Sequence, residues 1–344
     1  MFDDITHAYR EAPVLSQFNF EVKAGDITCL LGPSGGGKST ALRLAAGLLA
    51  VQSGHIEIDG ELVASARHST PPERRPIGMM FQENALFPHL TVAENVGFGL
   101  ASWSRSEREE RVRTLLELVD CDRLASRMPH ELSGGQQQRV ALIRSLAPKP
   151  RVLLMDEPYA SVDITLRRTL REAARRTLKD SKTTTLMVTH DPHEAMEMAD
   201  VIAVLDQQRI VQCDAPQMLF ENPESPTVAA LFGDAQLLRA RSIDGGYETD
   251  FGIITDSLSP PPAGECTLVV RPSGLAVLPS DAPGARVADV RYVGDGWIAF
   301  LVPELTGSST TALRVAIESP ESLAGIERVG LQRRARGFYV FPDG

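Results

Sequence analysis

A chain of 344 residues and 37.4 kDa has room for two domains with cores of their own, but not for an obvious third. Its formal net charge of −10 and pI near 5.3 argue against a broad nucleic-acid-binding face. Hydrophobic content of 43% and charged content of 23% are those of an ordinary globular protein, and no apolar run reaches membrane-spanning length.

Charged residues within Met1–Arg10 interrupt the apolar core that a signal peptide needs, so any membrane association is expected to pass through a partner. The four cysteines, Cys29, Cys121, Cys213 and Cys266, stand far apart without CxxC spacing. They read as reduced, mostly buried thiols of a cytosolic protein.

The first informative element is Asp26–Leu31, an apolar run of strand character, followed by a glycine-rich loop and a helical stretch at Thr40–Leu49. The loop reads Gly32-Pro33-Ser34-Gly35-Gly36-Gly37-Lys38-Ser39-Thr40 and fits the template G-x-x-x-x-G-K-[ST]. Glycines let successive backbone N–H groups curl toward one anion. Lys38 adds positive charge near the outer phosphates, and Ser39 offers a hydroxyl to Mg²⁺. With a helix N-terminus behind it, the loop is expected to hold a nucleoside triphosphate.

Further along, Ser106–Arg113 mixes charges at helical spacing and reads as the solvated face of a helix spanning Glu107–Val119. Arg74-Arg75 reads as a surface pair. The run Leu132-Ser133-Gly134-Gly135-Gln136-Gln137-Gln138-Arg139 places a capping serine and two glycines ahead of a helix over Gly135–Leu146, which makes a second anion cradle. Strand Arg151–Met155 then runs into Asp156-Glu157. The first carboxylate is placed to hold Mg²⁺ through water, and the second to polarise a water attacking a γ-phosphate. Helices at Thr165–Lys179 and Pro192–Ala199 alternate with strands at Thr183–Val188 and Val201–Leu205. Such alternation predicts a largely parallel sheet covered on both faces.

The character changes near Gly233. Beyond it lysine disappears, a Gly245-Gly246 pair and Pro260-Pro261-Pro262 appear, and strand candidates follow at Thr267–Arg271, Arg286–Val293, Trp297–Val302, Thr311–Ala316 and Phe338–Phe341. We expect an α/β nucleotide-binding domain over residues 1–234 and a small all-β barrel or sandwich over residues 235–344. Arg333-Arg334-Arg336 is too short and too sparsely flanked by aromatics to form a nucleic-acid patch.

A phosphate loop, LSGGQ and an apolar strand ending Asp-Glu, in that order, resemble the nucleotide-binding subunit of ABC transporters. The resemblance implies a P-loop ATPase domain with a helical subdomain, binding ATP and Mg²⁺. It also implies a dimer in which Ser133, Gly134, Gly135 and Gln136 of one copy close over the γ-phosphate held by the other. Tyr9 lies 23 positions before Gly32, where the family stacks an aromatic on adenine. Gln82 matches the family's Q-loop, which touches Mg²⁺ or the attacking water and links the ATP site to the membrane subunits. His190, 33 residues past Glu157, matches the switch histidine, and Asp163 matches the loop that reaches across the dimer. Tyr159 and Val162 stand where the family commonly has Phe and Leu, and both keep the apolar character.

Two functions use this chemistry. A soluble ABC protein acting on DNA or ribosomes usually carries two ATPase cores or a long coiled coil, whereas this chain has one core and no heptad run. The acidic balance and the lysine-free C-terminal region also disfavour phosphate-backbone binding, so no nucleic-acid partner is expected. The resemblance therefore implies an importer ATPase with a C-terminal TOBE or OB-like domain. It would sit at the cytoplasmic face of the membrane, with permease subunits and, indirectly, a solute-binding protein as partners. Leu231-Phe232-Gly233-Asp234-Ala235, Thr267–Pro272 and Glu131–Leu142 look most like the ferric-iron importer ATPases. Polyamine, sulfate and molybdate importers are the alternatives.

Overall fold

The computed structural model describes residues 1–10, 12–81, 85–160, 164–258, 264–280, 284–304 and 311–343. Its contacts divide the chain into two compact units, Met1–Pro216 and Gln217–Gly344.

The first unit opens with strands β1 (Phe2–Tyr9), β2 (Ala12–Phe20) and β3 (Ile27–Leu31), then helix α1 (Lys38–Ala46). Strands β4 (Ser53–Ile58), β5 (Glu61–Ser65), β6 (His68–Ser69) and β7 (Ile77–Met80) lead to helices α2 (Val92–Gly97), α3 (Arg105–Leu118) and α4 (Gly134–Leu146). Then come β8 (Val152–Asp156), α5 (Ile164–Ser181), β9 (Thr184–Thr189), α6 (Pro192–Met198), β10 (Val201–Asp206) and β11 (Arg209–Asp214).

Six strands form a sheet in the order β11-β10-β3-β9-β8-β7, parallel except for the edge strand β11. Its central strands are buried on both faces, which is why they read as unbroken apolar runs such as Val152–Met155. The register sets Leu31 beside Thr189 and Asp156 beside Val188. The loops that follow β3, β8 and β9 therefore leave the sheet side by side at the carboxyl ends of the strands, where open α/β sheets bind ligands.

The alternation rule did not foretell a second sheet, ordered β2-β1-β4-β5-β6 and antiparallel throughout. Register shifts break the β1–β2 and β1–β4 ladders, and Asp4 and Gln17 take left-handed φ values of 47° and 49°. Such bulges interrupt the two-residue period by which a half-buried strand is read from sequence. Helices α2, α3 and α4 enclose a separate core that includes Val96, Leu100, Leu115, Val140 and Ile143. Most of the mixed charges of α3 face solvent as expected, with Arg105–Glu109 and Arg113–Glu110 pairs on its surface, but Arg111 turns in and donates to the carbonyls of Leu146 and Ala147.

Arg75 departs from its reading as a surface residue. It is 5% exposed, and its guanidinium donates to the carbonyls of Leu44, Ala45 and Thr70, tying off the last turn of α1. Arg74 alone is exposed. No helix among the described residues is long and apolar enough to cross a membrane.

The second unit is a mainly antiparallel sheet, in which strands include Glu265–Val270, Ala285–Tyr292, Trp297–Pro303, Leu313–Ile317 and Phe338–Pro342. All five strand candidates fall on these, to within a few residues. The unit begins some way before residue 235, because helix Pro226–Leu231 packs on its strands. Arg271 is the anchor. At 3% exposure it donates to the carbonyls of Phe232 and Phe220 and to the Tyr339 hydroxyl, and its guanidinium lies 3.5 Å above the Phe220 ring. Arg271→Met should strand these acceptors in an apolar setting and lower stability by about 2–4 kcal/mol. Thermal melting checks this, and Arg271→Lys, which lacks the planar fork, should rescue little of the loss.

Candidate functional site

The phosphate loop joins β3 to α1, and its glycines are there for stated reasons. A Cβ on Gly32 would lie 2.3 Å from the Leu205 carbonyl oxygen, and one on Gly37 would lie 2.6 Å from the Val14 carbonyl oxygen. Gly37 also has φ +100°, which side-chain-bearing residues rarely adopt. No side chain caps the N-terminus of α1, so the amides of its first turn are left for a ligand.

Lys38 is 5% exposed, and its ammonium donates to the carbonyls of Gly32 and Pro33, both at 2.8 Å. Burial pulls its pKa down, while Glu157 and Asp156 oppose the shift. A buried ammonium held by two carbonyls beside a loop of open amides suits an anion such as a phosphate.

Four further predicted residues converge here. The Ser39 hydroxyl donates to Asp156 Oδ1 at 3.0 Å, and burial raises the Asp156 pKa against the opposing pull of that bond. Two adjacent oxygen donors in a partly desolvated corner suit a hard divalent cation such as Mg²⁺, so the residues present fit the expected metal. Glu157 follows with a φ of 43°, its N–H bonded to the Val188 carbonyl. His190 Nδ1 stands 3.1 Å from Glu157 Oε1. A proton on Nδ1 makes His190 the donor and fixes the direction of the carboxylate.

Tyr9 lies at the end of β1, 45% exposed and edge-on to His7. It pairs with Ala12 across the β1–β2 turn, and Val14 of the same hairpin abuts Gly37. The hairpin that carries the aromatic thus leans on the phosphate loop.

Ser133–Gln136 belong to a different element. Ser133 caps α4 by accepting from the Gln136 N–H at 3.4 Å, and Gln136 Oε1 accepts from the Ser133 N–H at 2.9 Å. Ser133 and Gly134 are exposed, and space around Gly134 is open. The capping box takes up the Ser133 and Gln136 N–H groups, and the Ser133–Gly134 edge of the turn is open at the protomer surface. Gln82 and Asp163 lie outside the described residues.

The sequence reading missed one supporting group. Glu194, on α6, accepts a 2.7 Å bond from the Thr189 hydroxyl, which in turn accepts from the Asp191 N–H. His190 is thereby bracketed on both sides. A lone glutamate four residues past a histidine carries no sequence signal of such a role, although the capping Asp191 does announce a helix. Burial pushes Glu194 from an ordinary 4.5 up to about 7, with Asp191 and Glu157 adding to the shift and Thr189 and Arg171 opposing it. The folded state thus holds this proton more tightly than the unfolded chain does. Its stabilising contribution is complete below pH 4.5 and disappears as pH rises through 7. Glu194→Gln should match the wild type at pH 5 and exceed it at pH 8 by up to about 3 kcal/mol, a difference that melting curves at the two pH values would reveal.

A family model described as ABC transporter matches residues 15–160. The chain is 43% identical over 277 residues to the Fe(3+) ions import ATP-binding protein FbpC of Pseudomonas fluorescens strain Pf-5, covering 79% of this chain and 77% of that one. It is 36% identical over 355 residues to the sulfate/thiosulfate import ATP-binding protein CysA 1 of Chromobacterium violaceum, covering 99% and 98%. Among solved structures, the bacterial cassette MJ0796, in a dimeric post-hydrolysis state bound to ADP and Pi, aligns with TM-score 0.54 at 28% identity, covering 62% of this chain and 97% of that one.

Proposed function

The chain belongs to the ABC transporter family as the ATPase subunit of an importer, and from that premise we propose that it drives uptake of ferric iron from the cytoplasmic face of the membrane. The observation that carries the ATPase reading is the cluster of Lys38, Ser39, Asp156, Glu157 and His190 at the carboxyl ends of three neighbouring strands. The 43% identity to a ferric-iron import ATPase supports the cargo, as does the likeness of Leu231–Ala235 and Thr267–Pro272 to that group.

In this reading the ATP phosphates lie along Gly32–Thr40, and Lys38 exchanges two carbonyls for phosphate oxygens. Tyr9 stacks on the adenine. Ser39 and Asp156, with Gln82, would hold Mg²⁺, which when bound would neutralise charge on the phosphates. Glu157 accepts a proton from the attacking water, and His190 keeps the carboxylate aimed while its other nitrogen is free for the γ-phosphate. Ser133, Gly134, Gly135 and Gln136 complete the site of a second copy of the chain, and Asp163 reaches across the dimer. Dimeric association of a related cassette supports this arrangement. Permease subunits receive the motion through the region from Gln82 to Val96, and a solute-binding protein delivers the cargo.

Sulfate is the second reading, favoured by a sulfate-import relative that spans 99% of this chain. Uptake of radiolabelled ferric iron and sulfate, compared in cells with and without the Glu157→Gln chain, separates the two. Loss of iron uptake with sulfate uptake intact is expected, and the reverse pattern would assign sulfate.

A further inference from the structure

Within one protomer, the signature turn and Glu157 serve different ATP molecules. On the proposed reading Ser133–Gln136 face the partner's nucleotide, whereas Glu157 acts on the protomer's own. One side chain joins them. Gln138, on the buried side of α4, is 3% exposed, and its Nε2 donates to the Pro158 carbonyl at 2.8 Å. Pro158 directly follows Glu157.

Two features separate this contact from ordinary packing. First, Gln138 Oε1 is buried with no hydrogen-bond partner among the described residues. A buried amide with half its bonding unmet is costly, and an apolar side chain of the same length would fill the space without that cost. Turning the amide over would set oxygen against oxygen and strand the NH₂ group as well, so the bond to Pro158 fixes its orientation. Second, the turn it grips is held in an uncommon conformation. Glu157 has a φ of 43°, and such a residue persists only when its surroundings over-determine it. The surroundings do so on three sides: the Glu157 N–H bonds to the Val188 carbonyl, the Tyr159 hydroxyl reaches Met198 Sδ at 3.9 Å, and Gln138 holds Pro158. The first two come from the sheet and α6. Only the third comes from the helix that carries the signature turn.

We propose that Gln138 is a positioning residue for ATP hydrolysis, locking the Glu157 turn to the signature helix so that the base is aimed only while α4 is correctly seated. The inference rests on the reading of Glu157 as the base. Its action is through the Pro158 carbonyl, with no contact to nucleotide.

The test uses the full chain with Gln138→Met and Gln138→Glu, beside Glu157→Gln as the check on the underlying reading. Gln138→Met keeps length and apolar contact but cannot donate. A base displaced by about 1 Å can lose on the order of 100-fold in rate. We expect kcat to fall at least about tenfold, with the Kd for a fluorescent ATP analogue within about twofold of wild type. A merely structural glutamine would instead lower melting temperature while leaving the kcat of the folded fraction unchanged. Gln138→Glu tests the donor itself. As a carboxylate at pH 8 it repels the Pro158 carbonyl; protonated, as burial favours, its O–H can donate. Its kcat relative to wild type should therefore recover between pH 8 and pH 6. This variant also decides the question should Gln138→Met prove insoluble. A Gln138→Met kcat within twofold of wild type, or a Gln138→Glu pH profile parallel to wild type, overturns the proposal. Full activity in Glu157→Gln would overturn the reading beneath it, and the two failures are thus distinct.

Discussion

Replacing Glu157 with Gln is expected to cut kcat for ATP hydrolysis by about 100- to 10,000-fold while leaving ATP affinity within about twofold. The substitution keeps the shape of the side chain, because Gln is isosteric with Glu, and it keeps the left-handed turn and the bond from its N–H to the Val188 carbonyl, which belong to the backbone. What it removes is the proton acceptor. An amide can still accept from His190, now 3.1 Å from the carboxylate, so the local structure should persist. Steady-state turnover set beside equilibrium binding reads both halves of the expectation. Rapid turnover in this variant would remove Glu157 as the base.

The second large effect is expected at Ser133→Arg. Ser133 caps α4 and is exposed together with Gly134 beside the N-terminal amides of that helix, with open space around Gly134. A long cationic side chain at that point blocks the approach of a second copy's phosphates to those amides. Loss of one such set of donors costs about 100- to 1,000-fold in other enzymes. The phosphate loop is untouched, so nucleotide binding should survive. Ser133→Ala separates the trivial contribution, because loss of the cap alone destabilises by about 1 kcal/mol. Normal hydrolysis by Ser133→Arg would remove the signature turn from the reaction.

How far the sequence could be read follows from which features chemistry constrains. An anion cradle demands glycine at Gly32 and Gly37, because a Cβ there would strike the Leu205 and Val14 carbonyls, and it demands a lysine near the phosphates. Those demands are local and leave a spaced pattern in the chain. The parallel strands were legible for a similar reason, since burial on both faces leaves apolar runs. The β1–β2 hairpin was not, because left-handed residues at Asp4 and Gln17 break its alternation. Arg75 misled for the opposite reason. Two adjacent arginines look solvated, yet two backbone carbonyls at the end of α1 and that of Thr70 draw one of them inside.

The supporting residues of the site were the least legible. Glu194 and Gln138 act through one hydrogen bond each to a neighbouring turn, and nothing in their spacing announces those partners. Tyr159 illustrates the finer scale. It is 2% exposed and takes the place of the family's usual Phe, and its additional hydroxyl finds the Met198 sulfur at 3.9 Å. The β-rich character of the unit that follows Pro216 is legible in the sequence, but the change in composition near Gly233 falls after the unit has begun. The packing of helix Pro226–Leu231 on its strands, which joins that helix to the unit, has no compositional mark.

The central claim is that the ATP site is composite, with the loop at Gly32–Thr40 supplying one half and Ser133–Gln136 of a second copy the other. Sedimentation of the Glu157→Gln chain with and without ATP and Mg²⁺ tests it most directly. The account predicts that ATP doubles the mass from 37.4 kDa and that adding Ser133→Arg to the same chain abolishes the doubling while ATP still binds. An ATP-saturated Glu157→Gln chain that sediments no differently from the nucleotide-free protein would contradict it.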